Sequence, residues 1–221
     1  MKKTYKIKEI FYTLQGEGAQ SGRPAIFCRF SKCNLWNGRE ESRAEAICNF
    51  CDTDILGTDG ENGGEYKTAA DLTSKVSDLW PKKTGGKPFV VCTGGEPALQ
   101  MDDDLVGHFH QAGFEVAIET NGTLPLPAGI DWVCCSPKGT SKVVINQCDE
   151  LKLVFPQADA MPDSFLHIKA DYFYLTPMAL ISTKGAIYPN QDDITQKTIK
   201  FCLNNPKWRL NLQTHKVLNI S

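Results

Sequence analysis

A chain of 221 residues with 24 basic and 26 acidic side chains, net charge −2, has room for one well-buried core and lacks the basic stripe that duplex nucleic acid requires. No stretch approaches the roughly 18 apolar residues of a membrane span, and the basic start Met1-Lys2-Lys3-Thr4-Tyr5-Lys6 is not followed by the apolar run of a signal peptide. The nine cysteines are therefore expected in a reducing compartment, the cytoplasm, where thiols serve metal or redox chemistry more readily than disulfides.

Taken in chain order, short apolar or β-branched runs bounded by turn residues predict strands at 6–12, 25–30, 89–92, 115–118, 132–135, 151–155, 173–175 and 209–212. Helical periodicity falls between several of them, at 69–80, 105–112 and 193–203. Such alternation argues for a parallel sheet covered by helices. Polar, glycine-rich loops are expected at 58–64 and 82–87, and a charged insertion at 34–47. No internal repeat or linker divides the chain, so one domain over 1–221 is expected.

The polar motifs fall after strands. Cys33 follows the strand ending at Phe30, Thr93-Gly94-Gly95-Glu96-Pro97 follows Cys92, and Glu119-Thr120-Asn121-Gly122 follows Ile118. Ser136-Pro137-Lys138 follows Cys135, Thr176-Pro177-Met178 follows Leu175, and Gln213-Thr214-His215 follows Leu212. In β/α barrels the C-terminal strand end is the catalytic face. Three or four convincing helices are too few for eight units. The expected fold class is therefore α/β, a partial, open β/α barrel of about six core strands.

Cys33, Cys48 and Cys51 form the pattern C-x14-C-x2-C. Three thiolates can hold three corners of an iron–sulfur cube and leave one iron open to a small molecule. A structural zinc site wants four protein ligands; His108, His110 or His215 would have to arrive through the fold. Unrelated reduced thiols are a third reading. Cys28, Cys92, Cys134, Cys135, Cys148 and Cys202 lie in or beside apolar runs and read as small buried hydrophobes.

Gly94 and Gly95 let a backbone approach a ligand closely, with Glu96 as an acceptor, or simply form a tight turn. Glu119 with Thr120 and Asn121 suits an amino acid or a ribose, although Asn-Gly is also a plain turn signal. Lys138 can meet a ligand carboxylate or be solvated. In Leu14-Gln15-Gly16-Glu17-Gly18, Glu17 matches an exocyclic amine and a ring N–H, against the simpler reading of a hairpin turn. Arg29 lies in an otherwise apolar strand and needs a partner, either an internal carboxylate or an anionic ligand. His215 reads equally as a structural or a site residue.

In this order, these stretches resemble the radical S-adenosylmethionine (SAM) superfamily and, within it, the 7-carboxy-7-deazaguanine synthase family. The matching motifs run from residue 14 to 216, and the long first cysteine gap is similar to one branch of that family. The resemblance implies a [4Fe–4S] cluster on Cys33, Cys48 and Cys51 whose free iron chelates SAM. It implies a 5′-deoxyadenosyl radical taking hydrogen from C6 of 6-carboxy-5,6,7,8-tetrahydropterin, then ring contraction and loss of ammonia. The product, 7-carboxy-7-deazaguanine, leads to queuosine.

Carried over by motif, the resemblance places Gly94, Gly95 and Glu96 at the SAM amine and Glu119, Ser136 and Lys138 at its ribose and carboxylate. It places Leu14, Gln15, Gly16, Glu17, Arg29, Thr93, Gly95 and His215 around the pterin, and Thr53 at a Mg²⁺ ion. No side chain is implied as a separate catalytic group. A homodimer, an electron donor such as flavodoxin or ferredoxin, and no contact with nucleic acid or membrane are also implied. Lys32 stands where members often have Gly, Thr176 where Gln is frequent, and Asn219 where Gly is common. The rival readings are another radical SAM enzyme, such as a glycyl-radical activase, and a non-catalytic zinc-binding domain.

Overall fold

The computed structural model of the chain describes residues 4–82, 85–179 and 191–220. Ser221 and part of the segment expected at 82–87 lie outside them. The chain opens with an antiparallel pair, β1 (Tyr5–Leu14) and β2 (Pro24–Phe30), and β1 takes a short partner, β3 (Gly64–Tyr66), on its other edge. Then come α1 (Ala69–Leu79), β4 (Phe89–Gly94), α2 (Asp103–Gln111), β5 (Glu115–Thr120), β6 (Trp132–Cys135), β7 (Glu150–Phe155) and β8 (Tyr172–Pro177). α3 (Gln191–Asn204), β9 (Arg209–Leu210) and α4 (Thr214–Leu218) finish the chain.

The strands form one sheet in the order β3-β1-β2-β4-β5-β6-β7-β8-β9. From β2 onward every neighbouring pair is parallel. The sheet does not close, since β3 and β9 are its edges; this is the open, partial barrel expected from the strand ends. Parallel strands covered on both faces should be continuously apolar. In β4, Phe89, Val90, Val91 and Cys92 are all buried.

Two helices cover the first half of the sheet. Thr68 caps α1 by accepting from the Asp71 amide at 3.0 Å, and Ala69, Leu72, Thr73 and Val76 form its buried stripe. Asp102 caps α2 through the Leu105 amide at 3.1 Å and also accepts from the Tyr5 hydroxyl at 2.8 Å. The helix is thereby fixed to β1. Leu72, Val76, Leu105 and Phe109 meet Ile7, Ile26, Phe30, Val90, Val116 and Ile118 in one core cluster. A second cluster gathers Leu151, Leu153, Phe155, Phe173, Leu175 and Trp208.

The links after β5, β6 and β7 contain no α-helix among the described residues. In the link between β7 and β8, Ala160, Phe165 and Ile168 are buried and cover the second core as a helix would. No helix among the described residues is long and apolar enough to cross a membrane.

Two sequence expectations are corrected at element boundaries. The strand expected at 209–212 stops at Leu210. β9 pairs only with β8, and at the next residue the Asn211 side chain turns inward to donate to Thr176 Oγ1 at 2.8 Å. Residues 214–218, for which the sequence suggests no element, form α4 (Thr214–Leu218), which carries His215. The loop expected at 58–64 is held against β1 by Ile10 N–Glu61 O at 2.7 Å and Gly60 N–Lys8 O at 2.9 Å, and it delivers β3. Three residues are too few to show alternation in sequence.

Candidate active site

Two cavities open side by side on the C-terminal face of the sheet. The first is lined by Cys33, Cys48 and Cys51, by Thr93, Gly94 and Gly95 of the β4 end, by Glu119, Thr120 and Asn121 of β5, and by Ser136 and Lys138 after β6. The second is lined by Leu14, Gln15, Gly16, Glu17, Arg29, Thr53, Thr93, His215 and Lys216. Glu17, Asp52, Thr53, Thr93, Glu119, Lys152 and Gln213 face both, so the two are confluent. All the residues expected at the site face one or both of these cavities, except Glu96.

The cysteine loop is held from three sides. The insertion at 34–47 folds into a short 3₁₀ helix, Glu40–Glu45, and its Arg43 reaches over the loop. Arg43 donates to Cys51 O at 2.8 Å and Asn49 O at 3.2 Å, and lies 4.1 Å above the Trp36 ring. Asn34 bridges to the β5 loop through Asn121 Nδ2 at 3.0 Å and Thr123 Oγ1 at 2.7 Å. The third support is the Gly94-Gly95 turn: Gly95 N donates to Phe30 O and Glu96 N to Lys32 O, both at 2.9 Å.

This last contact explains the glycines. A Cβ on Gly95 would sit 1.7 Å from Lys32 O, and Gly94 has φ +115°. No side chain fits either place. Lys32 itself has φ +74°, the left-handed region that glycine enters without a Cβ penalty. Glu96, expected at a ligand amine, is fully buried behind the wall. Its carboxylate accepts from Ala98 N at 3.0 Å, Thr120 Oγ1 at 2.8 Å and Asn121 N at 2.8 Å, so it braces the β5 loop from behind.

The thiols are electrostatically unequal. Burial pushes Cys33 up. The proximity of Cys48 and Cys51 lowers Cys51 and, with burial, raises Cys48. Among the described residues no three His, Cys, Asp or Glu close round a single ion, while three thiols face one cavity with an open side. That donor set fits a multi-iron cluster with one corner left for a ligand better than a four-coordinate zinc ion. The histidines considered as a fourth ligand lie elsewhere. His108 and His110 sit on α2 bonded to Asp104 and Asp131, and the His215 ring packs over Gly16, where a Cβ would meet it at 2.3 Å.

Arg29 finds the internal carboxylate that its position demands: Nε donates to Glu9 Oε1 at 2.7 Å. The same argument applied to Leu151-Lys152-Leu153 would have found Lys152, which the sequence reading passed over. Its ammonium is buried and lies 2.9 Å from both Glu17 Oε2 and Glu119 Oε2, and 4.0 Å from Glu150 Oε1. Burial would raise Glu17, but the Lys152 charge and hydrogen bond, with Gln213 and His215, outweigh it and hold the carboxyl at about 2. Burial raises Glu150 and lowers His215.

Between the first hairpin and the last strand, where the barrel is open, hydrogen bonds replace strand pairing. Gly18 N donates to Asn211 Oδ1 at 2.7 Å, Thr214 N to Gly16 O at 2.9 Å, and Gln213 Nε2 to Glu17 Oε1 at 2.8 Å. Lys216 adds an ion pair to Asp52 at 2.6 Å. The C-terminal segment thus borders the second cavity.

No protein-family model matches the chain. A curated protein of Caulobacter vibrioides, 7-carboxy-7-deazaguanine synthase, is 54% identical over 219 residues, covering 98% of this chain and 99% of the relative. Proteins of the same name from Bordetella pertussis and Burkholderia multivorans are 53% and 52% identical, again over 98% of this chain and 99% of each relative. The chain belongs to the 7-carboxy-7-deazaguanine synthase family. In fold it is similar to the crystal structure of QueE from Escherichia coli, with a TM-score of 0.67 and 26% identity over 95% of this chain and 93% of that one. Membership of the synthase family brings with it the radical SAM lyase class, a [4Fe–4S] cluster, SAM and Mg²⁺. It sets aside the zinc domain and the glycyl-radical activase.

Proposed function

We propose that the two confluent cavities together convert 6-carboxy-5,6,7,8-tetrahydropterin to 7-carboxy-7-deazaguanine, with loss of ammonia. The observation that carries this reading is the shared wall. Thr93, Glu119 and Lys152 face both the cavity of the three thiols and the cavity of Gln15, Glu17 and Arg29, so ligands in the two would touch. In this reading Cys33, Cys48 and Cys51 hold the cluster. Gly94 and Gly95 present backbone to the SAM amine, and Glu119, Ser136 and Lys138 take its ribose and carboxylate. Glu96 acts one step back, fixing the Thr120–Asn121 turn.

Bound there, a cluster held by Cys33, Cys48 and Cys51 and SAM held by the β4–β6 ends would supply the one-electron radical chemistry. The chain's own residues orient that pterin. Glu17 and Gln15 read the amine and ring N–H edge, Arg29 answers the carboxylate, and Leu14, Gly16, Thr93, Gly95 and His215 complete the walls. Thr53 would hold the Mg²⁺ ion beside the substrate, a role supported by its facing both cavities. The Trp36 and Leu35 side chains, largely buried beside the thiols, exclude water from the first cavity.

The chain works as one radical SAM unit over 1–221, a reading supported by its single sheet. We place it in the cytoplasm because nine free thiols suit a reducing compartment. A homodimer is supported by the exposed apolar side chains Leu212, Val217 and Leu218 near the C-terminus, and a flavodoxin or ferredoxin is taken as the electron donor. The test is a cysteine series under anaerobic conditions. Cys33→Ala, Cys48→Ala and Cys51→Ala are expected to abolish iron retention and 5′-deoxyadenosine formation, whereas Cys202→Ala keeps both. Equal loss in Cys202→Ala would overturn the ligand assignment.

A further inference from the structure

Lys152 is a buried cation at the shared wall whose chemistry the functional reading leaves unused. It enters from β7, Glu119 from β5 and Glu17 from the β1–β2 loop, and one ammonium meets both carboxylates at 2.9 Å. The other titratable groups facing it are Glu150 on its own strand, Cys134 on β6 and His215 on α4. Glu150 is itself satisfied by Ala19 N at 2.8 Å and by the Cys134 thiol at 3.5 Å. The lysine is therefore shared chiefly between the two carboxylates that face ligand.

We propose that Lys152 is a positioning residue for substrate recognition, holding the Glu17 and Glu119 carboxylates together at the boundary of the two cavities. This rests on the functional reading above. Two carboxylates brought this close repel, and without a cation one of them takes up a proton. A protonated carboxyl presents a donor where the amine and ring N–H of a pterin or deazaguanine also present donors. With Lys152 in place Glu17 remains an acceptor, which selects ligands whose facing edge carries N–H groups and rejects carbonyl-bearing edges.

The test uses the product, 7-carboxy-7-deazaguanine, as probe and calorimetric affinity as readout, so no turnover is needed. The ligand's own carboxyl titrates far below the range used. The wild-type chain is expected to bind with an affinity that is flat between about pH 6 and 8. Lys152→Met is expected to bind at least tenfold more weakly and to improve as pH rises, as the carboxylate pair loses its proton. Lys152→Arg, which keeps the charge, is expected to retain the flat profile.

An affinity and pH profile in Lys152→Met matching wild type would overturn the proposal. So would equal loss in folded Met and Arg variants, which would make the role one of shape. If the Met variant does not fold, carboxyl NMR of the wild type decides: a Glu17 signal titrating near neutrality overturns the proposal, and one that is silent above about pH 4 supports it. A wild-type chain that does not bind the product at all would instead refute the functional reading, and this inference with it.

Discussion

Replacing Gly95 by alanine should break the cysteine loop away from the sheet. A Cβ at Gly95 would stand 1.7 Å from Lys32 O, 2.3 Å from Lys32 C and 3.1 Å from Cys33 N. Backbone atoms have no rotamer with which to step aside, so the carbonyl must retreat to at least 3.0 Å, a movement of about 1.3 Å. The hydrogen bonds Gly95 N–Phe30 O and Glu96 N–Lys32 O start at 2.9 Å and cannot both survive it. Each lost buried backbone bond costs about 1–3 kcal/mol, so the variant should lose roughly 1–6 kcal/mol and displace Cys33 relative to Cys48 and Cys51. The assay is thermal unfolding of the metal-free chain with iron and sulfide content after anaerobic reconstitution. Gly107→Ala serves as control: nothing lies within 4 Å of its added Cβ, and mid-helix alanine should stabilise by about 0.5–1 kcal/mol. A Gly95→Ala chain that melts like wild type and retains its iron would refute the reasoning.

Three further outcomes follow from named contacts. Lys32 sits at φ +74°, so Lys32→Gly should relieve about 1 kcal/mol of strain, offset by about 0.5–1 kcal/mol of glycine's extra unfolded freedom; thermal melts should place it near wild type, with Lys32→Val clearly below. If the two variants are equally destabilised, the strain argument is wrong. Arg43→Ala removes two carbonyl contacts and the stacking on Trp36, about 2 kcal/mol together, and should speed iron loss to a chelator; an unchanged release rate would count against the clamp. Glu17 is held at about 2 against an ordinary 4.5, so its depressed value stabilises the fold above pH 4.5 and that contribution disappears as pH falls from 4.5 towards 2. The difference corresponds to about 3 kcal/mol. Denaturant titrations of Glu17→Gln should show a shallower acid limb than wild type, and parallel limbs would refute the Lys152–Glu17 coupling.

Much of the site was legible because its chemistry is punctuated by strand ends. The central parallel strand β4 reads as an apolar run because it is buried on both faces, and six of the expected strands end where a polar motif begins. The parts that were not legible depend on contacts distant in sequence. Lys152 lies in the middle of an apolar strand, and its two partners come from residues 17 and 119. Only the rule that a buried cation needs a countercharge could have raised it. Glu96 looked like a ligand acceptor because sequence gives a side chain's place on a strand end but not which side of the wall it occupies. The insertion at 34–47 looked like solvated charge, yet Arg43 turns inward over the cysteine loop. The alternation of Leu210 and Leu212 with polar residues extends the expected strand to 212, two residues beyond the observed β9. The Asn211 bond to Thr176 and the lack, among the described residues, of any strand beyond β9 end that alternation after two paired residues.

The account's central claim is that the thiol cavity and the Glu17–Arg29 cavity act as one site on one reaction. Anaerobic turnover of the cluster-loaded chain with SAM, a reductant, Mg²⁺ and 6-carboxy-5,6,7,8-tetrahydropterin tests it most directly. The account predicts 7-carboxy-7-deazaguanine and 5′-deoxyadenosine, with loss of the deazapurine in Glu17→Gln. Formation of neither compound by a chain with a full complement of iron and sulfide would contradict it.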